Sequence, residues 1–191
     1  MNKSRIIPLV IVSMIASFAI SSCGPSYSEE KAQIDSMITV LNKNIERLNV
    51  YSVEKINAKN DTFKQLYAAI DSVYNFSKPD SNFAMINNFI NIQKPFRRHD
   101  KKLKKVLDDI NFQIHQLTTL KEDMDSKSMR KEEIKKYFTI ETNECEKVIE
   151  TVNIYFNMIK SQVEIYDSLS PKISQLIPLY QSKKPAAKRT K

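Results

Sequence analysis

The sequence predicts an all-α fold: an elongated antiparallel three-helix bundle, coiled-coil in character, with short extra helices and a disordered basic C-terminal tail. Three observations carry that prediction. Apolar residues recur at helical spacing from residue 28 to about 181, in long stretches at alternating intervals of four and three. Gly24 is the one glycine in 191 residues and there is no tryptophan, whereas barrels, sandwiches and phosphate-cradling loops lean on glycine at their turns. Segments 28–76, 81–124 and 128–169 are of similar length and separated by short connections, the arrangement that favours antiparallel neighbours. A dimeric coiled coil made from fewer folded-back helices is the alternative arrangement.

Each element has its own signature. In the first segment Ile34, Ile38, Leu41, Ile45 and Leu48 form one stripe, and Ile56, Phe63, Tyr67, Ile70 and Tyr74 form another. Leu48 to Ile56 is eight residues where a heptad takes seven, so the stripe slips near "NVYSVEK", which predicts a kink or a change of supercoil there. Pro79 and Pro95 bracket a short amphipathic helix carrying Phe83, Ile86 and Ile90, with Asp80 or Ser81 as its cap. A second long stripe reads Leu103, Leu107, Ile110, Ile114, Leu117, Lys121 and Met124. The third is the clearest: Ile134, Phe138, Glu141, Cys145, Val148, Val152, Tyr155, Ile159, Gln162, Tyr166 and Leu169 are spaced strictly four and three. Ser128 is its expected N-cap, and residues 128–169 as one helix span about 63 Å. Ser170-Pro171 is expected to restart a last helix with Ile173, Leu176, Ile177 and Tyr180 inward and a bend at Pro178.

The first 22 residues stand apart from this pattern. Lys3 and Arg5 lead into an uncharged run, residues 6–20, that ends at Ser21-Ser22. A basic start, an apolar stretch of roughly 7–15 residues and small residues at the cut describe a secretory signal peptide. The run is shorter than the ~20 residues a bilayer core demands, and it contains Pro8. Ile20-Ser21-Ser22-Cys23 resembles the lipobox of bacterial lipoproteins, with Ser22 standing where glycine or alanine is commoner. The resemblance covers the first 23 residues only. It implies that the Cys23 thiol takes a diacylglycerol, that the signal is then cut, and that the new amine is acylated in turn, as by palmitate. Gly24, not aspartate, follows the cysteine, which by the Gram-negative sorting rule implies the outer membrane, on its periplasmic face or at the cell surface. The acidic patch Ser28-Glu29-Glu30 accompanies surface display in some Gram-negative groups. The expected organisation is a signal peptide over 1–22, a lipidated N-terminus and linker over 23–31, a helical bundle over 32–181 and a basic tail over 182–191.

Removing the signal leaves 169 residues, enough for one domain, with 28 basic and 22 acidic side chains and a net charge of +6. Five of those basic residues lie in the last ten, "SKKPAAKRTK", so the body is close to neutral at +1. With Cys23 bound to lipid, Cys145 is a single thiol at an apolar seam position, where it acts as a small core residue. No CxxC, HExxH or GxGxxG occurs. His99 and His115, sixteen residues apart on one helix, are about 24 Å from each other and cannot share a metal within one chain. Asp108-Asp109 and Glu122-Asp123-Asp125 fall on polar faces, lacking the burial that tunes a general acid. Glu141 and Gln162 are polar residues in the seam, a placement that fixes register or oligomeric state. The expectation is therefore a non-enzymatic chain with no catalytic residues, metal or cofactor.

Two basic features point to a partner. "KPFRRHDKKLKK", residues 94–105, holds seven basic residues against one acid. Arg97, Arg98, Lys101, Lys104 and Lys105 form a cationic collar at the start of a helix, where the positive helix end makes cations slightly unfavourable. That cost hints at an anionic partner, although a solvated face balanced by acids on a neighbouring helix is the commoner arrangement for such a run. The second feature is the tail, with Lys183, Lys184, Lys188, Arg189 and Lys191. A lipid at one end of a helical rod and basic residues at the other resemble, in layout, the murein lipoprotein of Gram-negative outer membranes. The match is confined to Lys188-Arg189-Thr190-Lys191, and in that family the terminal lysine is joined to peptidoglycan. The expected role is a lipid-anchored envelope protein with a structural, tethering or interaction function, contacting a protein or an anionic cell-wall or lipid surface. Nucleic acid is not an expected partner in an exported compartment. A surface-displayed, adhesin-like or ligand-binding helical module is the alternative.

Overall fold

The computed structural model describes residues 27–126 and 128–183. The signal segment, Cys23, Gly24 and residues 184–191 of the tail expected to be disordered, with Lys184, Lys188, Arg189 and Lys191, lie outside the described residues. The described chain forms six helices and no strand: α1 Ser28–Asn49, α2 Val53–Val73, α3 Phe83–Ile90, α4 Gln93–Arg97, α5 His99–Ser126 and α6 Lys131–Lys183.

The cross-helix contacts define the topology. Lys31 pairs with Asp125, and Lys121 with Asp35, so α1 and α5 run antiparallel. Gln113 Nε2 meets the Glu141 carboxylate at 2.9 Å, which sets α5 antiparallel to α6. Arg47 bonds Asn153 at 2.7 Å, and Lys59 pairs with Asp167, so α1 and α2 run parallel to α6. The fold is the three-helix bundle that the periodicity predicts: an outgoing rod (α1–α2), a return rod (α3–α4–α5) and one unbroken outgoing spine, α6. At 1.5 Å per residue the spine's 53 residues reach about 80 Å.

The slip in the first stripe is resolved as a break. α1 ends at Asn49, and Ser52 caps α2, its hydroxyl accepting from the Lys55 N–H. On either side the stripe residues Ile34, Leu41, Leu48, Ile56, Phe63 and Ile70 are all buried. The core divides at the same level. One cluster joins α1, α5 and the first half of α6; a second joins α2, α3, α4 and the second half of α6, with Met158 packed against both.

Four details depart from the sequence reading. From Leu103 onward the buried residues of α5 are Leu103, Val106, Ile110, Gln113, Leu117, Leu120 and Met124, while Leu107, Ile114 and Lys121 are half-buried. The shared positions are right and the intermediate ones are displaced by one residue, because the seam turns toward α6 and takes in Gln113 through its bond to Glu141. The α6 start lies at Lys131, not at Ser128: Glu133 reaches back to the Arg130 N–H at 3.1 Å and its guanidinium at 2.8 Å, while the Ser128 hydroxyl donates to Asp123. Those two bonds hold the Glu133 carboxyl down at about 2. The terminal helix expected to restart at Pro171 is instead continuous with α6 through Pro171 and Pro178. An internal proline forfeits one backbone bond, and here the buried Ile173, Tyr166 and Val163 hold the turn against the second core. Lastly, helix begins at Ser28 with Tyr27 already buried, so the linker expected through residue 31 ends sooner, and helix at the other end runs to Lys183.

Two outcomes follow from burial and backbone. Ile110→Ala, at a fully buried position, is expected to lower stability by about 2–5 kcal/mol, whereas Phe112→Ala, 63% exposed one turn fraction away, changes it by less than about 0.5 kcal/mol. Pro171→Ala restores an N–H to the spine and is expected to raise stability by up to about 3 kcal/mol. Urea unfolding followed by circular dichroism checks all three.

Candidate functional site

The segment from Lys94 to Lys105 is the one stretch of the described chain where the composition is at odds with its surroundings. Pro95 sits in the first turn of α4, where its missing N–H removes no helical bond. Phe96 and His99 face inward and are essentially fully buried, Phe96 with its ring 5.7 Å from that of Tyr166. With those two side chains fixed, Lys94, Arg97, Arg98, Lys101, Lys102, Lys104 and Lys105 are all left exposed.

His99 is the anchor of this arrangement, and its burial is the feature the sequence reading missed. Its Nε2–H donates to the Tyr51 carbonyl at 2.7 Å, and its Nδ1 accepts from the Tyr155 hydroxyl at 2.8 Å. The two bonds fix one neutral tautomer and join the α1–α2 break, the start of α5 and the middle of α6. Burial pushes the Tyr155 hydroxyl well above its ordinary range, so it stays a donor. Burial also holds the imidazole below its usual 6.5, against the smaller opposing effects of the Tyr51 bond and the Asp100 charge. A signal for this was present: His99 stands four residues before Leu103 and so extends the α5 seam backward.

Above this node the structure brings together Arg97, Arg98, Lys101, Lys104 and Lys105, and adds Lys94 and Lys102. Among the described residues none of the seven forms an ion pair, and all seven face solvent. The contrast is with Lys31, Lys59 and Lys121, each of which meets an aspartate on a neighbouring helix. Lys183 is not part of the collar. It ends α6 at the far pole, its ammonium 5.7 Å from the centre of the Tyr180 ring.

That pole is closed by a polar clasp. Tyr180 donates to the Asp80 carboxylate and accepts from Asn82 Nδ2 at 2.9 Å, and Tyr74 donates to Asp80 at 3.3 Å. The Tyr180 hydroxyl, followed by the Asn82 N–H, holds the Asp80 carboxyl below its usual range. An open cleft of about 670 Å³ adjoins the clasp, lined in part by Phe76, Lys78 and Lys183.

The remaining titratable residues are placed in structural roles. Cys145 is a free, buried thiol whose pKa is raised, by burial first and Glu146 second. His115 is exposed, Glu141 is engaged by Gln113, and Asp125 by Lys31. Among the described residues no three histidine, cysteine or acidic side chains are grouped to hold a metal ion, and no helix is long and apolar enough to cross a membrane. No protein-family model, curated protein or solved structure matches this chain.

The node has a pH signature. Between pH 6.5 and its lower folded-state value, the unfolded chain holds a proton on His99 that the folded chain lacks, so stability is full above 6.5 and declines as pH falls. His99→Phe leaves the Tyr51 carbonyl without its partner and the Tyr155 hydroxyl with only its longer bond, 3.3 Å, to the backbone carbonyl of residue 99, and is expected to cost about 1–3 kcal/mol. Melting curves from pH 7.5 to 5 are expected to fall more steeply for the native chain than for the variant; equal slopes would remove His99 from the pH dependence.

Proposed function

We propose that this chain is a lipid-anchored, non-enzymatic protein of the bacterial cell envelope, held at the outer membrane, that acts as a structural spacer, tether or interaction module. Cys23 carries the lipid in this reading, and the helical rod presents its faces and its basic end to a partner. The observation that supports it is the direction of the helices. Because α1–α2 and α6 run parallel, Ser28 lies at one pole and Lys183 at the other, separated by about the full 80 Å of the spine. A membrane held at residue 23 and an anionic cell-wall surface met by Lys184, Lys188, Arg189 and Lys191 are then reached by opposite ends of one molecule. Two or more acyl chains make such anchoring stable, at about 0.8 kcal/mol per buried methylene.

The second reading, a binding module displayed on the cell surface, is favoured by the unpaired collar. Protease treatment of intact cells separates the two, since degradation means display and protection means a periplasmic tether.

Cys23→Ala is expected to move the protein from the membrane fraction to the soluble fraction. Detergent-dependent membrane association that persists in that variant overturns the anchoring reading. Cell wall boiled in detergent is expected to retain more of the native chain than of one lacking residues 182–191.

A further inference from the structure

We propose that the groove between α5 and α6 beside the collar is a docking site for a protein partner, specifically an acidic helical segment. That segment seats one bulky apolar side chain in the groove and lays its carboxylates along Lys102, Lys105 and the neighbouring cations.

Two features of different kind meet at this place. The first is shape. A cleft of about 240 Å³ lies between the helices, walled by Val106, Tyr155 and Met158 and rimmed by Ile154, which is 65% exposed. An apolar cavity of roughly 150 Å³ holds a benzene ring, so this one admits a large apolar side chain. Past Val106 and Thr151 the cleft continues into a smaller hollow beside Asp109 and Val148. From Lys102 to Asp109 the groove runs about two helical turns, the length over which a helix lays its apolar face into a groove.

The second feature is charge. Lys102 and Lys105 stand on the rim, and no carboxylate lines the larger cleft. The Lys102 ammonium reaches only the Met158 thioether, at 3.9 Å, a weak acceptor. Five further cations without ion pairs among the described residues lie within the same twelve positions. Complementarity therefore calls for an anionic partner, and the apolar cleft calls for one that also carries an apolar anchor.

Position along the rod selects a protein over the anchoring membrane, a step that rests on the anchored orientation proposed above. With the rod standing off the membrane from its Ser28 pole, the 28 residues of α5 place the collar about 40 Å away. Residues 23–27 extend at most about 18 Å, and exposed charges are screened beyond roughly 8 Å at physiological salt.

The test places a photo-crosslinking residue at position 154 of the full-length chain in the producing cell, with the same residue at 112 as a background control. The expected result is a discrete adduct at 154, absent at 112, whose linked peptide carries net negative charge. In the Lys102→Glu, Lys105→Glu chain its yield is expected to fall at least about tenfold, while the melting temperature, read by circular dichroism, is unchanged. An adduct with lipid, with a second copy of this chain or with a basic or neutral peptide overturns the proposal, as does no adduct or one indifferent to the charge reversal. Membrane retention of the Cys23→Ala chain bears on anchoring alone, and the identity of the adduct bears on docking alone.

Discussion

One imidazole, hydrogen-bonded through both nitrogens, holds the level at which two of the three rods change character and the core divides. Next to it the outgoing rod breaks between Asn49 and Val53, the return rod passes from α4 to α5, and the core divides into two clusters. Only α6 crosses that level without interruption, and Tyr155 is its contribution to the node. A buried polar group without partners is costly, so the three rods meet at one relative register: Tyr51, His99 and Tyr155 have to arrive together. Arg47 reinforces the same layer, bonding Asn153 while its guanidinium lies 3.6 Å from the centre of the Phe156 ring. Bundles of this length are otherwise free to slide by a heptad, since apolar seams repeat, and this layer removes that freedom.

The same anchoring explains why an expensive cluster of cations is tolerated. α5 begins at His99, so Arg97, Arg98, Lys101 and Lys102 crowd its positive end, where cations are disfavoured. Inward burial of Phe96 and His99 fixes the backbone and leaves the charged side chains nowhere to go but outward. Lys31, Lys59 and Lys121 each meet an aspartate across a helix interface; the collar differs in packing seven cations into twelve positions with one acid.

Most of the architecture was legible because helical packing writes itself into spacing. The stripes Ile34–Leu41–Leu48 and Ile56–Phe63–Ile70 survive as core residues, and the eight-residue interval between them marks the break. What spacing could not resolve was phase at the polar positions. Gln113 is buried because Glu141 meets it from another helix, a pairing no local pattern contains, and His99 reads as part of a basic run until Tyr51 and Tyr155 are placed around it. The unbroken passage of α6 through Pro171 was hidden for a similar reason: local propensity opposes it, and the buried face around Ile173 and Tyr166 overrides that propensity. The collar's cations were visible in the sequence, while their lack of ion pairs and the adjoining groove emerged only once α6 was beside α5.

Parallel first and last helices also decide how the molecule carries a mechanical load. A pull between Ser28 and Lys183 drives α1–α2 and α6 past each other along their length, in shear. Resistance then comes from the contacts between them acting side by side: the Arg47–Asn153 bond, the Lys59–Asp167 pair and the apolar seam on both sides of the node. In a two-helix hairpin whose ends share a pole, the same pull would peel the interface open one turn at a time. The odd number of rods makes this chain a strut in tension, not a zipper.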